Sequence, residues 1–279
     1  MIKLSAEERA SGKLNPETLE NALHQVKMNG VVVFESVLPE ELVDDMNANF
    51  LRVLNETLQT NAEATELNTT TMRKNRIRMD LPFYEPFSDP QVITNAFALP
   101  IIERLVGEDC RCFYLSVDAP MPGSDYQNAH GDYFPFFPES DIILPPTGIV
   151  VNFPLIDVTE ENGPMEAWPG GTHHTPEKMF ADWKNVVNAA EHMKPVRMTM
   201  PKGSMIIRDI RMWHRGTPNL SDEIRPNVAL IYGRSWWDGA VYAQKSLNIT
   251  RARYEQLSER AQRLFRFEKL IEEQPVGTK

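Results

Sequence analysis

Residues 147–158 read TGIVVNFPLIDV, an apolar, β-branched run that opens on Thr-Gly and is interrupted by Pro154. Such a run is short enough for one buried strand and too short for a helix with its own core face. Three others share its texture: CRCFYLSVDAP (110–120), VRMTMPKGSMIIRDI (196–210) and NVALIYGRSW (227–236), all divided by Pro, Gly and Asn. Several short strands separated by turn residues, without βα alternation, predict an antiparallel sandwich or small barrel. The fold expected is therefore mainly β with flanking helices. TPEKMFADWKNVVNAAEH interrupts the β-like runs and predicts a helical insertion at about 175–193.

Upstream, Leu19, Leu23 and Val26 at helical spacing predict a helix over Pro16–Met28, stopped before Asn29-Gly30. GVVVFESVL follows as a buried strand, and LPEELVDDMNANFLRVLNETLQ as a second helix opened by Pro39. Residues 59–80 are polar and predict an irregular segment, either a cover over a site or a plain surface loop; of their basic residues Arg73, Lys74, Arg76 and Arg78, one is a candidate for the site entrance, with a solvated face the commoner reading. A third helix is expected over about 90–106. At the C-terminus, residues 249–273 form a charged amphipathic helix carrying Tyr254, Leu257, Ala261, Leu264 and Phe265 on one side. That face suits packing on the sheet or a homodimer contact. The organisation expected is one domain over 1–279: a helical part to about 106, a β core over about 107–240, and the terminal helix.

Composition narrows the function. A net charge of −10 opposes binding to nucleic acid, and no apolar run reaches the ~20 residues that span a bilayer. The N-terminus MIKLSAEERASGKLNPE has no apolar signal segment, so a cytoplasmic location is expected. Cys110 and Cys112 are too closely spaced on a strand for a disulfide and read as buried thiols.

The chemistry centres on YQNAHGDYFPFF, residues 126–137. With 6 histidines and 39 acidic residues in 279 positions, roughly one His-x-acid pair arises by chance, so the motif alone decides nothing. Residues i and i+2 of a strand point the same way, so His130 and Asp132 would share a face. Iron(II) sites that activate oxygen use two imidazoles and one carboxylate. The missing imidazole is sought among His173, His174, His192 and His214. His214 is the strongest, because it follows the strand-like SMIIRDI and begins the turn WHRGTPNLSDEIRPN. Arg225 lies eleven residues later, and an arginine fork suits the far carboxylate of a dicarboxylate co-substrate. The neighbours His173 and His174 read as a turn, and His24 as a solvated helix position.

Taken jointly, the helix followed by GVVVFESVL, then RIRMDLPF, HGD, ENGPMEAWPGGTHH and WHRGTPNLSDEIRP resemble the phytanoyl-CoA dioxygenase family over about residues 19–236. That family is a branch of the Fe(II)/2-oxoglutarate oxygenases with a double-stranded β-helix (jelly-roll, cupin-like) core. The resemblance implies that His130, Asp132 and His214 bind Fe(II), and that Arg225 holds the far carboxylate of 2-oxoglutarate. Gln127 matches a glutamine that contacts this co-substrate in several members. Many members place Ser or Thr two residues after the distal histidine; here Gly216 stands there, with Thr217 and Asn152 as stand-ins. Halogenating relatives lack the ligand carboxylate, whereas Asp132 is present, so oxygenation with O2, succinate and CO2 is implied.

A chain at −10 is poorly suited to acyl-CoA phosphates, which leaves a small neutral or cationic substrate. Aromatic residues around the motif are shared between core and pocket, with Phe134, Trp168 and Trp237 chosen as pocket residues. Two other classes use the same fold: a metal-dependent non-oxidative enzyme, and a non-catalytic small-molecule-binding relative.

Overall fold

The computed structural model describes residues 1–60, 74–239 and 246–272. In chain order the elements are β1 (Ile2–Lys3), α1 (Ala6–Ser11), α2 (Pro16–Asn29), β2 (Val31–Glu35), α3 (Glu40–Thr60), β3 (Arg76–Asp80), α4 (Pro90–Ile93) and α5 (Leu99–Val106). There follow β4 (Arg111–Pro120), β5 (Gly148–Pro154), β6 (Met165–Ala167), α6 (Trp183–Ala190), β7 (Val196–Met198), β8 (Met205–Asp209), β9 (His214–Gly216), β10 (Asn227–Gly233), α7 (Arg251–Gln256) and α8 (Glu259–Leu264).

Seven strands form one sheet in the order β1-β2-β8-β5-β10-β4-β3, and β7-β6-β9 form a second. All pairings are antiparallel except β1 with β2. The four β-like runs read from sequence supply β4, β5, β10 and the β7/β8 pair, and the fold is a mainly β double-stranded β-helix with flanking helices.

Alternation along the strands assigns two different faces to the large sheet. Val151, Phe153, Leu115, Val117, Ile207, Val228 and Leu230 point outward into the main core, where Leu23 and Val26 of α2 and Ile101 and Ile102 of α5 cover them. The opposite face carries Val150, Asn152, Arg208, Asn227, Ala229, Ile231, Tyr114 and Asp118 toward the interior. Ile206 and Val31 of this face meet Ala167 and Met165 of the small sheet, closing the two sheets on each other.

Helix ends follow local chemistry. Ser5 and Glu8 make a capping box on α1, and Asn15 caps α2 before Pro16. Gly30 ends α2 at φ 78°, where a Cβ would also run into the ring of His173. Three expected helices are broken. Residues 90–106 split into α4 and α5 because Asn95 Oδ1 accepts from the backbone N–H groups of Phe97 and Ala98, starting a new turn. The C-terminal helix splits at Leu257-Ser258, where Ser258 caps α8. The insertion is a 3-10 turn over Glu177–Phe180 followed by α6. Within residues 59–80, 61–73 fall outside the described residues. Arg76–Asp80 form an edge strand paired with β4, so the solvated-face reading of Arg76 and Arg78 is corrected: Arg76 is buried and Arg78 lines the interior. No helix among the described residues is long and apolar enough to cross a membrane.

Candidate metal centre

The segment Gln127–Asp132 runs extended against β9 rather than within a named strand. Gln127 N–H donates to Gly216 O, His130 and His214 exchange two backbone hydrogen bonds at 3.0 and 2.9 Å, and Asp132 N–H donates to Ile210 O. This ladder brings a residue from each side of an 84-residue gap into register, since His130 and His214 form a direct bridge. Their rings lie 4.4 Å apart. Asp132 stands between them, with Oδ1 3.7 Å from His130 Nε2 and Oδ2 3.5 Å from His214 Nε2.

One donor atom from each of the three residues lies within 4.8 Å of the others. The Nδ1 atoms of His130 and His214 contact the backbone carbonyls of Asn128 and Met212 at 2.7 and 3.0 Å. A carbonyl can only accept, so each Nδ1 carries the proton and each Nε2 lone pair faces Asp132. Burial pulls both imidazoles below their usual range, most strongly at His214, where Arg208 adds to it. Burial alone would raise the Asp132 carboxyl; the Arg208 guanidinium, with Arg78 behind it, holds it well below the usual carboxylate range. Two neutral imidazoles and one carboxylate, preset before any ion arrives, fit a divalent transition metal with open positions.

The triad lines a cavity together with Gln127, Asn152, Arg208, Gly216 and Arg225. Arg225 stands two residues before β10 and shares the inward face of Asn227. It is 5 % exposed, donates through Nη2 to Gly163 O at 2.6 Å, and has no partner at Nε among the described residues. Burial, opposed by Asp118 and reinforced by Arg76, lowers its guanidinium to about 10, so it stays charged at neutral pH. Gln127 reaches the same cavity with its Oε1 accepting from Gly216 N–H at 2.8 Å. Asn152 lies on the cavity wall, its amide toward Val228 O at 3.4 Å.

Thr217 is placed differently: its hydroxyl donates to Pro164 O at 2.8 Å, and it does not line the cavity. Gly216 has a steric reason. A Cβ there would collide with the guanidinium of Arg76, which is 1 % exposed and donates to Thr217 O and Asp125 O. A buried arginine thus fills the space that a side chain at 216 would take.

A larger cleft of about 610 Å³ opens on the other side of His130 and Asp132. Tyr133, Phe134, Phe180, Trp183 and Val186 line it, with Arg78 and Asp182 as its other charged groups. Glu177 shapes this wall: its buried carboxylate accepts from Tyr133 Oη at 2.7 Å and from the N–H groups of Phe136 and Phe137. Of the three pocket aromatics expected from sequence, Phe134 lines the cleft. Trp168 packs under Arg215 beside a separate depression. Trp237 is buried against Phe113, Gly148 and Gly233 in the core, because glycines at those two positions leave room for its ring. His173 and His174 stack and both contact Lys27 O at the end of α2, and neither belongs to the triad.

Sequence reasoning missed Arg208, which lines the triad's cavity, and Glu177, which shapes the neighbouring cleft wall; Arg78, which also lines the cavity, is one of four basic residues that the sequence offers for the site entrance without singling it out. Arg208 had one signal: a lone charge inside the apolar strand MIIRD. Glu177 had none, because its partners lie about 40 residues away.

Fold and site together define a jelly-roll protein with a two-histidine, one-carboxylate metal triad. The sequence pattern of the phytanoyl-CoA dioxygenase (PhyH) family matches residues 26–227, and the chain belongs to that family. Among solved structures, the chain is similar to the non-heme alpha-ketoglutarate-dependent epimerase SnoN from nogalamycin biosynthesis, with 21% identity and a TM-score of 0.59. That match covers 79% of this chain and 84% of SnoN. The SnoN complex with Fe3+, alpha-ketoglutarate and nogalamycin RO matches at 20% identity and TM-score 0.58, over 79% of this chain and 85% of that one. EvdMO1 matches at 16% identity and TM-score 0.58, over 78% of this chain and 50% of its own.

Proposed function

We propose that the protein is an Fe(II)- and 2-oxoglutarate-dependent oxygenase that hydroxylates a small, neutral or cationic organic molecule. The observation that carries this reading is the placement of a preset His130/Asp132/His214 triad and the buried Arg225 on one cavity. Iron and 2-oxoglutarate, when bound, supply the oxidising chemistry with O2 and release succinate and CO2.

The chain's own residues do the rest. His130 and His214 offer Nε2, their rings fixed by Asn128 O and Met212 O, and Asp132 offers a carboxylate oxygen. Arg225 holds the far carboxylate of the co-substrate, and its unpartnered Nε is the donor reserved for it. Gln127 and Asn152 add polar contacts along the cavity wall. The aromatic cleft beside the triad receives the substrate and keeps water from the reacting carbon, with Phe134 on its rim. One oxygenase unit over 1–279 is supported by the large sheet, which takes β1, β2 and β3 from the helical part and the rest from the core.

The test is anaerobic. Protein with Fe(II) and 2-oxoglutarate should show the weak visible charge-transfer band of the chelate, and His214→Ala should abolish it. A band that survives in His214→Ala removes the metal assignment. Substrate-independent, slow turnover of 2-oxoglutarate to succinate separates this reading from a non-oxidative metal enzyme, which would leave 2-oxoglutarate intact.

A further inference from the structure

Arg208 has surroundings that its contact with the triad does not account for. It lies on β8 in a cross-sheet row with Val31, Val150, Ile231 and Tyr114, so its lateral neighbours offer almost no acceptors. It is 5 % exposed. Nη2 donates to Asp132 Oδ2 at 2.5 Å, while Nε and Nη1 are sealed from solvent with no partner among the described residues. Leaving donors of a buried cation unmatched is costly, and native interiors keep such groups where a ligand completes them.

The side chain lines the same cavity as Arg225, whose Nε is also unmatched among the described residues. One cavity therefore holds two buried guanidiniums with unspent N–H groups, one beside the metal ligand Asp132 and the other beside Gly163 O. If Arg208 served only to orient Asp132, Nη2 would suffice, and the other two donors would be buried for nothing.

We propose that Arg208 is a second anion clamp of this cavity. It keeps Nη2 on Asp132 and gives Nε and Nη1 to the carboxylate of the 2-oxo acid that lies at the metal, while Arg225 takes the far carboxylate. This rests on the co-substrate reading given above and adds a claim to it: the chain itself, and not the metal alone, recognises the 2-oxo acid end. The cavity is then selective for a dianion, and a 2-oxo acid with one carboxylate loses one clamp or the other.

Calorimetry on the Mn(II)-loaded protein tests this with three ligands: 2-oxoglutarate; 2-oxopentanoate, which keeps only the metal-end carboxylate; and 4-oxopentanoate, which keeps only the far one. Arg208→Met should weaken 2-oxoglutarate and 2-oxopentanoate by about tenfold or more and leave 4-oxopentanoate unchanged. Arg225→Met should give the reverse pattern. Mn(II) affinity, measured without ligand in the same variants, reads the contact to Asp132 separately. Equal losses for all three ligands, or weaker Mn(II) binding with unchanged ligand preference, would make Arg208 a support for Asp132 alone and overturn the proposal while the oxygenase reading stands. Failure of the wild-type protein to bind 2-oxoglutarate overturns both. If Arg208→Met does not fold, Arg208→Lys retains the charge and the reach to Asp132. It should keep Mn(II) affinity and lose part of the preference for the metal-end carboxylate; an unchanged preference overturns the clamp.

Discussion

The two faces of the seven-stranded sheet belong to the same strands and do opposite work. On β5, Val151 and Phe153 face the helices in a dry apolar core, while Val150 and Asn152 face the cavity. On β8, Ile207 is fully buried among hydrocarbons and its neighbour Arg208 is buried beside a metal ligand. The outer face therefore generates stability, and the inner face spends some of it on groups whose donors the fold leaves unmatched. A strand's period of two keeps these roles apart at a separation of one residue.

Mutations that strike one face at a time should separate activity from stability. His214→Ala, on the cavity side, should cut 2-oxoglutarate-dependent succinate formation by roughly a thousandfold or more, with Tm within a few degrees of wild type by calorimetry. Phe153→Ala, on the helix side, should cost about 3–5 kcal/mol in denaturant unfolding, while the 2-oxoglutarate affinity of the folded fraction stays unchanged. An equal loss of affinity in Phe153→Ala would show that the faces are coupled. Arg225→Met should raise the Kd for 2-oxoglutarate about a hundredfold without lowering stability, since the buried guanidinium has an unmatched Nε.

Two smaller effects sharpen the contrast. Gly216→Ser should destabilise by roughly 1–3 kcal/mol, because the new Cβ meets Arg76, and the double variant with Arg76→Ala should lose less than the sum of the two. Glu8, distant from the site, shows the electrostatics of the scaffold alone. Burial would raise its carboxyl, but hydrogen bonds from Asn15, Ser5 and Thr18 bring it down to about 2. A carboxyl depressed in the folded state stabilises above its unfolded pKa and loses that contribution as pH falls toward 2. Glu8→Gln should therefore cost about 1 kcal/mol at neutral pH, with the difference from wild type shrinking in acid unfolding curves.

Much of the site was legible because its ligands sit in short motifs with their own local logic. His130 and Asp132 are two apart, and His214 and Arg225 flank one Pro/Gly/Asn turn between two strand-like runs. The strands were legible too, since β-branched runs cut by Pro and Gly leave few alternatives. Helix boundaries were less so. Asn95 and Ser258 bond to backbone N–H groups and start new turns inside stretches whose apolar spacing reads as continuous helix. The aromatic assignments diverged for another reason: Trp237 and Phe134 look alike in sequence, and only the glycines at 148 and 233, on two other strands, give Trp237 a place in the core.

By itself the sequence determined the β architecture, because β-branched runs cut by Pro and Gly follow from periodicity, and its several motifs taken together pointed to His130, Asp132, His214 and Arg225 as one candidate site. Tertiary structure decided which basic residues turn inward. Arg76 and Arg78 lie in a polar stretch that reads as surface, and Arg208 is one charge in an apolar strand. Their burial depends on pairing with β4, on β5 beside β8, and on Asp132 arriving from another segment. Those are contacts between residues about 40 to 140 positions apart, and a single chain read in order carries no record of them.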